Sequence, residues 1–407
     1  MKFNPSSRDI ENPYALYELM REHDPLHQSE EDKIWYTFNY ELAEFFFRNK
    51  QCLHHNITRA EKKEFGATWE ELFKSGQDFF KLGKKAESSF LSWFIFFDEQ
   101  RHASFRKILS KYFSPKNMAA MEAEINQYST VLFEKLFSKK EFEFNKEYAR
   151  PFAFKVLASL LGIPESHQKT IFPLTDHMAN IILIHPSKQE KATLHFAIIA
   201  LAREFNKYIT KEICATKNSL IDIMLSMYHD NELTADEFIT QCVFLTAATE
   251  STSVSSGNNI FNFKNQPELN KILLNDPSTL PSIMTELIRF DGPVECSIRI
   301  ATEDINIYGK VIKQGEKIGI LTGAANRDPQ KFANPNVLNI HRKGEEHLSF
   351  GIGRHHCLGA YLAKVENECT LMNLVKHYPN FYIKEKSPER ISSFGIRGFK
   401  KLTFCID

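Results

Sequence analysis

The sequence predicts a mostly α-helical protein with a small, discontinuous β region. Two observations carry that expectation. Apolar residues recur at helical spacing from Pro13 to Glu22, and again over 99–112, 116–137, 146–162, 190–215 and 234–264. Strand-like alternation is confined to short pieces: Ile34 to Phe38, a group between Ser297 and Leu321 punctuated by Gly309 and Gly315, and the stretches 380–384 and 396–406. No internal repeat, low-complexity tract or Pro/Gly/Ser-rich linker interrupts the 407 residues, so 1–407 reads as a single domain.

Composition narrows the class. With 43% hydrophobic and 25% charged residues the chain has ample material for a core. Lys plus Arg (51) balances Asp plus Glu (51), which gives no global electrostatic case for nucleic acid or an anionic membrane. Phe outnumbers the polar aromatics, 35 against 13 Tyr and 3 Trp, which supplies bulk for a core and an apolar cavity. The seven Cys (52, 214, 242, 296, 357, 369, 405) contain no CxxC pair, as expected of a reducing compartment rather than a disulfide framework. The start, MKFNPSSRDIENPY, has no apolar signal region, and runs such as Phe94 to Phe97 or Ile181 to Ile184 are too short to span a bilayer. The expectation is a cytoplasmic protein without a membrane anchor.

The periodic segment from Thr234 has a marked start, because Thr234 and Glu237 form a capping box. Its apolar pattern continues to about Phe263, a helix of roughly 45 Å at 1.5 Å per residue. The middle, TAATESTSVSSG, is dense in hydroxyl residues that bond back to carbonyls and bend helices. Glu250 sits there, with Phe244, Leu245 and Ala248 nearby. A solvent-facing polar stripe is the ordinary explanation, but the flanking turns are apolar on most faces. That favours a buried helix with a polar, distorted centre.

The strongest local pattern is FGIGRHHCLGAYLAKVE, residues 350–366. Phe350, Gly353, His355, Cys357 and Gly359 hold fixed spacings just before a helical run. Gly351 and Gly353 let the backbone turn tightly and approach a flat ligand. Cys357 then lies near a helix N-terminus, where the dipole and free N–H groups favour a thiolate suited to ligate haem iron. Gly359 lets the helix approach the macrocycle. Two other readings compete: a buried structural Cys, or a zinc site drawn from His341, His347, His355, His356 and Cys357. The zinc reading lacks paired ligand spacings and leaves the glycines unexplained.

On these residues the sequence resembles the soluble bacterial members of the cytochrome P-450 family. The likeness extends over nearly the whole chain: NPYALYELMREHDPLH resembles the family's N-terminal helix, FFDEQRHASFRKILSKYFSP its helix C, and LLGIPE, GAANRDPQKF and HLSFGIGRHHCLGA are similar to stretches of the soluble bacterial members. The resemblance implies the cytochrome P-450 fold of about a dozen helices with a small β region. It makes Cys357 the axial thiolate of haem b and places His102, Arg106, Arg299 and His355 at the haem propionates. Ala247, Phe350, Gly351 and Gly359 complete the implied cofactor contacts. Paired cations are what two carboxylates in a low-dielectric pocket require. Glu286 and Arg289 are similar to the family's ExxR pair. The i, i+3 spacing alone is uninformative, since Glu18/Arg21 and Glu147/Arg150 share it, and the position ahead of Cys357 carries the assignment.

The same resemblance assigns oxygen chemistry to Ala247–Thr252. Glu250 matches the family's acid, while Ala248 stands where Gly is usual and Ser251 where Thr is usual. The Ala248 side chain would narrow the oxygen groove, and Ser251 or Thr252 would serve as the alcohol. An acid beside a hydroxyl delivers protons, so the implied activity is insertion of one oxygen atom of O2 into an apolar substrate. Phe90, Trp93, Phe94, Phe244, Ala248 and Val294 are the candidate substrate contacts. By the resemblance the aromatic-rich, loop-like stretch from Phe65 to Phe97 lies above the haem, Ile171 to Leu194 is a lid, and Pro293 to Ser297 and Ser393 to Ile396 line the remaining walls. No flavin or iron–sulfur pattern exists in the chain. NAD(P)H-derived electrons would therefore come through a ferredoxin or flavodoxin and its reductase, docking near Arg106, Lys107, Lys111, Arg354 and Lys364. A peroxide-driven peroxygenase, disfavoured by Glu250, and a non-catalytic haem carrier or sensor are the rival readings.

Overall fold

The computed structural model describes residues 2–53, 69, 73, 85–86, 93–97, 99–178, 187–342 and 346–406. Phe90, most of the Phe65–Phe97 stretch and residues 179–186 of the expected lid lie outside the described residues. The fold is mostly helical with small sheets, as the periodicities predict. In chain order the helices begin with α1 (Tyr14–His23), α2 (Tyr40–Arg48), α3 (Glu99–Tyr112), α4 (Pro115–Phe137), α5 (Arg150–Leu161), α6 (Glu165–Thr175) and α7 (Lys188–Ile209). They continue with α8 (Leu220–His229), α9 (Ala235–Ala247), α10 (Thr249–Lys264), α11 (Pro267–Asn275), α12 (Leu280–Phe290), α13 (Thr322–Ala325) and α14 (Ala360–His377). The sequence periodicity does not mark the short helices α2, α6, α8 and α11; each is nine to eleven residues, too few turns for a pattern to stand out.

Two compact units are present: Met1–Asn56 with Phe113–Arg150 and Ser251–Asp407, and Ile57–Tyr112 with Pro151–Glu250. The first holds every described strand. Its main sheet has the order β1 (Leu26–Gln28), β2 (Trp35–Thr37), β8 (Lys317–Leu321), β5 (Cys296–Ala301), β3 (Cys52–Leu53). Only β2 and β8 run parallel. A hairpin of β6 (Ile305–Ile307) and β7 (Lys310–Ile312) follows β5, the turn passing through Gly309 at φ 69°. A third sheet joins β4 (Glu141–Glu143), β10 (Thr403–Cys405) and β9 (Tyr382–Ile383), so the expected strand over 396–406 shrinks to three residues. Leu42, Phe46 and Phe47 of α2 are buried with Ile318 and Ile320 of β8 and with Leu348 and Ile352 ahead of Cys357. The α2 N-terminus is set by Asn39, whose side chain accepts from the Leu42 N–H at 2.9 Å.

In the second unit the described secondary structure is helical, with α9 against α7 and α7 against α6. The predicted capping box at Thr234 is present in both halves. The Glu237 N–H donates to Thr234 Oγ1 at 3.2 Å, and the Thr234 N–H to Glu237 Oε2 at 3.0 Å. The long helix expected over 234–264 is two helices broken at Ala248. There the Ala248 N–H is shared between the carbonyls of Phe244 (3.1 Å) and Leu245 (3.3 Å). The hydroxyls of Thr246 and Thr249 donate back to Cys242 O (2.7 Å) and Thr246 O (2.9 Å). Back-bonding of this kind loosens the helical ladder, so the hydroxyl-rich composition produces a break where a bend was expected.

Candidate functional site

Residues 348–359 form a tight reversal. The Gly351 N–H donates to Leu348 O at 2.9 Å, the His356 N–H to Gly353 O at 3.1 Å, and the Cys357 N–H to Phe350 O at 2.8 Å. Gly351 (φ 61°) and Gly353 (φ 74°) occupy left-handed backbone that other residues rarely adopt. A Cβ on Gly353 would meet the carbonyl oxygen of Phe47 at 3.4 Å, so α2 closes down on this turn. The loop presents Cys357 exposed, two residues ahead of the α14 N-cap, Gly359. His355 and Phe350 are half-buried beside it.

Cysteine burial separates this thiol from most others. Cys52, Cys242, Cys296, Cys369 and Cys405 are buried, and burial pushes each thiol up, Cys52 and Cys369 to about 12. Cys214 and Cys357 are exposed, and only Cys357 sits in a glycine-turned loop before a helix. Arg299 on β5 is 3% exposed; its guanidinium stands 5.1 Å above the Phe47 ring and donates to Ile298 O at 2.9 Å. Burial pulls it down to about 10, against the opposing pull of the Cys52 and Cys296 thiols. A bound carboxylate would reverse that pull. These residues fit a haem: an exposed thiol as axial donor and a deeply held cation for a propionate. A Cβ placed on Gly359 would meet no atom within 4 Å, so that flank has room for a macrocycle. Among the described residues no three of His, Cys, Asp and Glu gather as a metal site, and the zinc reading finds no support there.

The ExxR assignment becomes a triad. Arg289 donates from Nε and Nη2 to the two Glu286 oxygens, both at 2.7 Å, and from Nη1 to the carbonyls of Asn326 (2.7 Å) and Pro335 (3.0 Å). Arg342, absent from the sequence reading, donates from Nε to Glu286 Oε1 at 3.0 Å, and its Nη1 holds Ala333 O at 2.6 Å. Burial alone would raise the Glu286 carboxyl; the bonds and charge of Arg289, with Asn339 and Arg342, bring it below its ordinary value. The triad thus ties α12 to the segment 326–342 that leads into the Cys357 loop. His347, which the sequence marks only as a zinc candidate, lies in the same region. Burial pulls it down to about 4, which keeps it neutral near pH 7.

Val294 is half-buried and bridges Ile396, so the two segments expected to wall the pocket, 293–297 and 393–396, are neighbours. Thr322 Oγ1 fixes that corner by donating to Val294 O at 2.6 Å. A second buried network lies below: Asp291 receives Arg390 (2.8 Å) and Arg397 (2.9 Å), and the Asn258 amide donates to Asp291 O at 2.9 Å. Ser251 and Thr252 begin the part of α10 that belongs to this unit, and both are half-buried.

In the helical unit Trp93, Phe94, Phe244 and His102 form one cluster. Trp93 lies 4.5 Å from Phe244, and Phe94 stacks on His102 at 5.8 Å with an interplanar angle of 3°. The Phe94 N–H donates to Gln241 Oε1 at 2.9 Å, anchoring the segment to α9. His102 is buried and Arg106, one turn on, is half-buried. On the broken helix Ala247 is buried, Ala248 exposed and Glu250 half-buried.

The family model described as Cytochrome P-450 matches residues 63–403, and the chain belongs to that family. It is an enzyme of the monooxygenase class that its relatives represent. The biotin biosynthesis cytochrome P-450 of Bacillus subtilis is 26% identical over 405 residues, 98% of this chain and 97% of the relative. CYP107DY1 of Priestia megaterium is 31% identical over 312 residues, 75% and 74% of the two chains. Among solved structures, P450BioI in complex with hexadec-9Z-enoic acid ligated acyl carrier protein matches with a TM-score of 0.86 at 24% identity, covering 98% of this chain and 99% of that one. CYP109E1 from Bacillus megaterium in complex with testosterone matches with a TM-score of 0.83 at 25% identity, covering 100% of both chains.

Proposed function

We propose that the chain holds haem b through the Cys357 thiolate and inserts one oxygen atom of O2 into an apolar organic substrate. The observation that carries this reading is the exposed Cys357 at the end of a turn whose left-handed backbone at 351 and 353 favours glycine, in the same unit as the deeply buried Arg299. Haem, when bound, supplies an iron centre at which O2, two electrons and two protons yield one inserted oxygen atom and one water. Phe350, Gly351 and Gly359 shape the thiolate side. Arg299 and His355, with His102, Arg106 and Ala247 by family resemblance, hold the macrocycle and its carboxylates. Glu250 carries the protons, and Ser251 or Thr252 passes them on from the segment after the helix break. Trp93, Phe94, Phe244, Ala248 and Val294 provide apolar contact with the substrate and exclude water; Phe90 is assigned with them by sequence alone.

NAD(P)H-derived electrons arrive in this reading through a ferredoxin or flavodoxin and its reductase, and a reducing cytoplasm suits a cysteine thiolate ligand. Among the described residues no helix is long and apolar enough to cross a membrane. The relatives motivate two probes: hexadec-9Z-enoic acid, free or on an acyl carrier protein, and testosterone. The deciding experiment is the carbon monoxide difference spectrum of the dithionite-reduced protein beside Cys357→Ser. A strongly red-shifted Soret band that the variant loses supports thiolate ligation; a band unchanged in the variant refutes it. Product formation from NADPH and O2 with a surrogate ferredoxin then separates a monooxygenase from a peroxygenase or a carrier.

A further inference from the structure

The middle of α10 is polar where a buried helix is ordinarily apolar. Ser255, Ser256, Asn258 and Asn259 are all buried, as is Asn367 on α14. These groups are organised rather than scattered. Ser256 Oγ and Asn259 Nδ2 both donate to Asn367 Oδ1 at 3.0 Å. Asn259 Nδ2 also reaches Ser255 Oγ at 3.2 Å and Met284 Sδ at 3.4 Å, on the helix that carries Glu286 and Arg289. Asn367 Nδ2 donates to Ala363 O at 2.7 Å, which holds its carboxamide oxygen aimed at α10.

Positions 256 and 259 are one turn apart on one face, and a single acceptor takes both donors. Sliding α10 along its axis by one residue, about 1.5 Å with a rotation of about 100°, breaks both bonds. Leucine at 256, 259 and 367 would bury as well without that demand, so the carboxamide contributes register rather than cohesion. A single buried Asn fixes the register of paired helices in coiled coils by the same physics. The cost is visible here, because Asn259 Oδ1 is buried without a hydrogen-bond partner among the described residues. On the other face Asn258 donates to Asp291 O (2.9 Å) and Arg397 O (2.8 Å), a second axial restraint.

We propose that Asn367 is a positioning residue: its carboxamide, through Ser256 and Asn259, fixes the height of Ser251 and Thr252 relative to the helix that follows Cys357. Ser251 lies five residues, about 7.5 Å of helix, before Ser256, and Asn367 lies about 10.5 Å into α14. The proposal rests on the haem-thiolate reading for its consequence, not for its geometry.

The test uses ferric holoprotein of wild type, Asn367→Leu, Ser256→Ala and the double variant. Hydrogen–deuterium exchange reads α10 directly, and imidazole binding to the ferric haem, followed optically, reads the distal side. In Asn367→Leu the thiolate CO band is retained. Peptides covering 249–256 exchange about ten-fold faster while those covering 360–377 change less than about two-fold, and the imidazole Kd shifts by about three-fold or more. Ser256→Ala moves the same readouts less, and adding it to Asn367→Leu adds nothing, because the two share one bond. Unchanged exchange over 249–256 with only a lower unfolding midpoint overturns the proposal. Should Asn367→Leu not fold, Ser256→Ala alone decides on the same two readouts. A wild-type protein without the thiolate band refutes the haem reading instead, and the exchange comparison still decides whether the register is held by Asn367.

Discussion

Arg289→Met and Arg342→Met perturb the same carboxylate to different degrees, and the structure sets the ratio. Removing Arg289 takes both bidentate bonds and the nearer charge from Glu286, a residue 4% exposed. Breaking a buried pair in this way costs about 3–5 kcal/mol. The Asn326 carbonyl, on a residue 2% exposed, also loses its donor, about 1 kcal/mol more. Removing Arg342 leaves Glu286 with Arg289 and forfeits one charge-assisted bond, about 1.5–3 kcal/mol. Its other acceptors, Ala333 O, Asn334 O and Val337 O, belong to exposed residues that turn to water. The expected losses are thus about 5 and about 2 kcal/mol. The double variant loses less than their sum, because a buried Glu286 without cations takes up a proton. Urea unfolding followed by the Soret band and far-UV circular dichroism measures all three. The lowered Glu286 carboxyl contributes stability above its unfolded value near about 4.3, and that contribution fades as pH falls through the lower folded value. Wild type therefore loses more stability than R289M on acidification from about pH 5 to about pH 3. Equal losses for R289M and R342M, or parallel acid profiles, would refute the triad as the element holding this region.

Four further outcomes follow from the same geometry. Cys357→Ser abolishes the red-shifted CO band while Cys214→Ser, the other exposed thiol, leaves it intact, read in one difference spectrum. Asp291→Asn strands Arg390 and Arg397 and costs about 3–5 kcal/mol in urea unfolding at neutral pH. Burial raises the Asp291 carboxyl but the two arginines bring it below its ordinary value, so wild type loses this contribution as pH falls through the folded value and the variant's deficit shrinks in acid. Gly351→Ala costs about 1–2 kcal/mol from its φ of 61° alone, since the new Cβ meets Phe47 at an ordinary 3.5 Å, whereas Gly319→Ala drives a Cβ to 2.4 Å from Tyr36 and costs more. Charge reversal at the exposed Lys107 and Lys111 slows reduction by an acidic surrogate ferredoxin and flattens its salt dependence; stopped-flow rates unchanged across ionic strength would remove the docking surface.

Local chemistry was legible from the sequence. The capping box at Thr234, the glycine-turned loop before Cys357, the Glu286–Arg289 spacing and the β-branched strands after residue 296 each specify structure over a few residues, because caps, left-handed backbone and side-chain periodicity act at that range. The hydroxyl-rich centre of the long helix predicts a bend, and its break at Ala248 depends on which carbonyl each hydroxyl meets.

What the sequence by itself determined is the family pattern, the helical class, the thiol that stands before a helix and the acid–hydroxyl run at 250–252. What only the tertiary structure decided is which distant groups meet. Arg342 reaches Glu286 across 56 residues and Ser256 reaches Asn367 across 111, separations at which no local propensity distinguishes one Arg or Asn from another. A carboxylate or a carboxamide entering the core must find partners there, and the chain's packing selects them, because an unpaired buried polar group costs more than the fold can carry often.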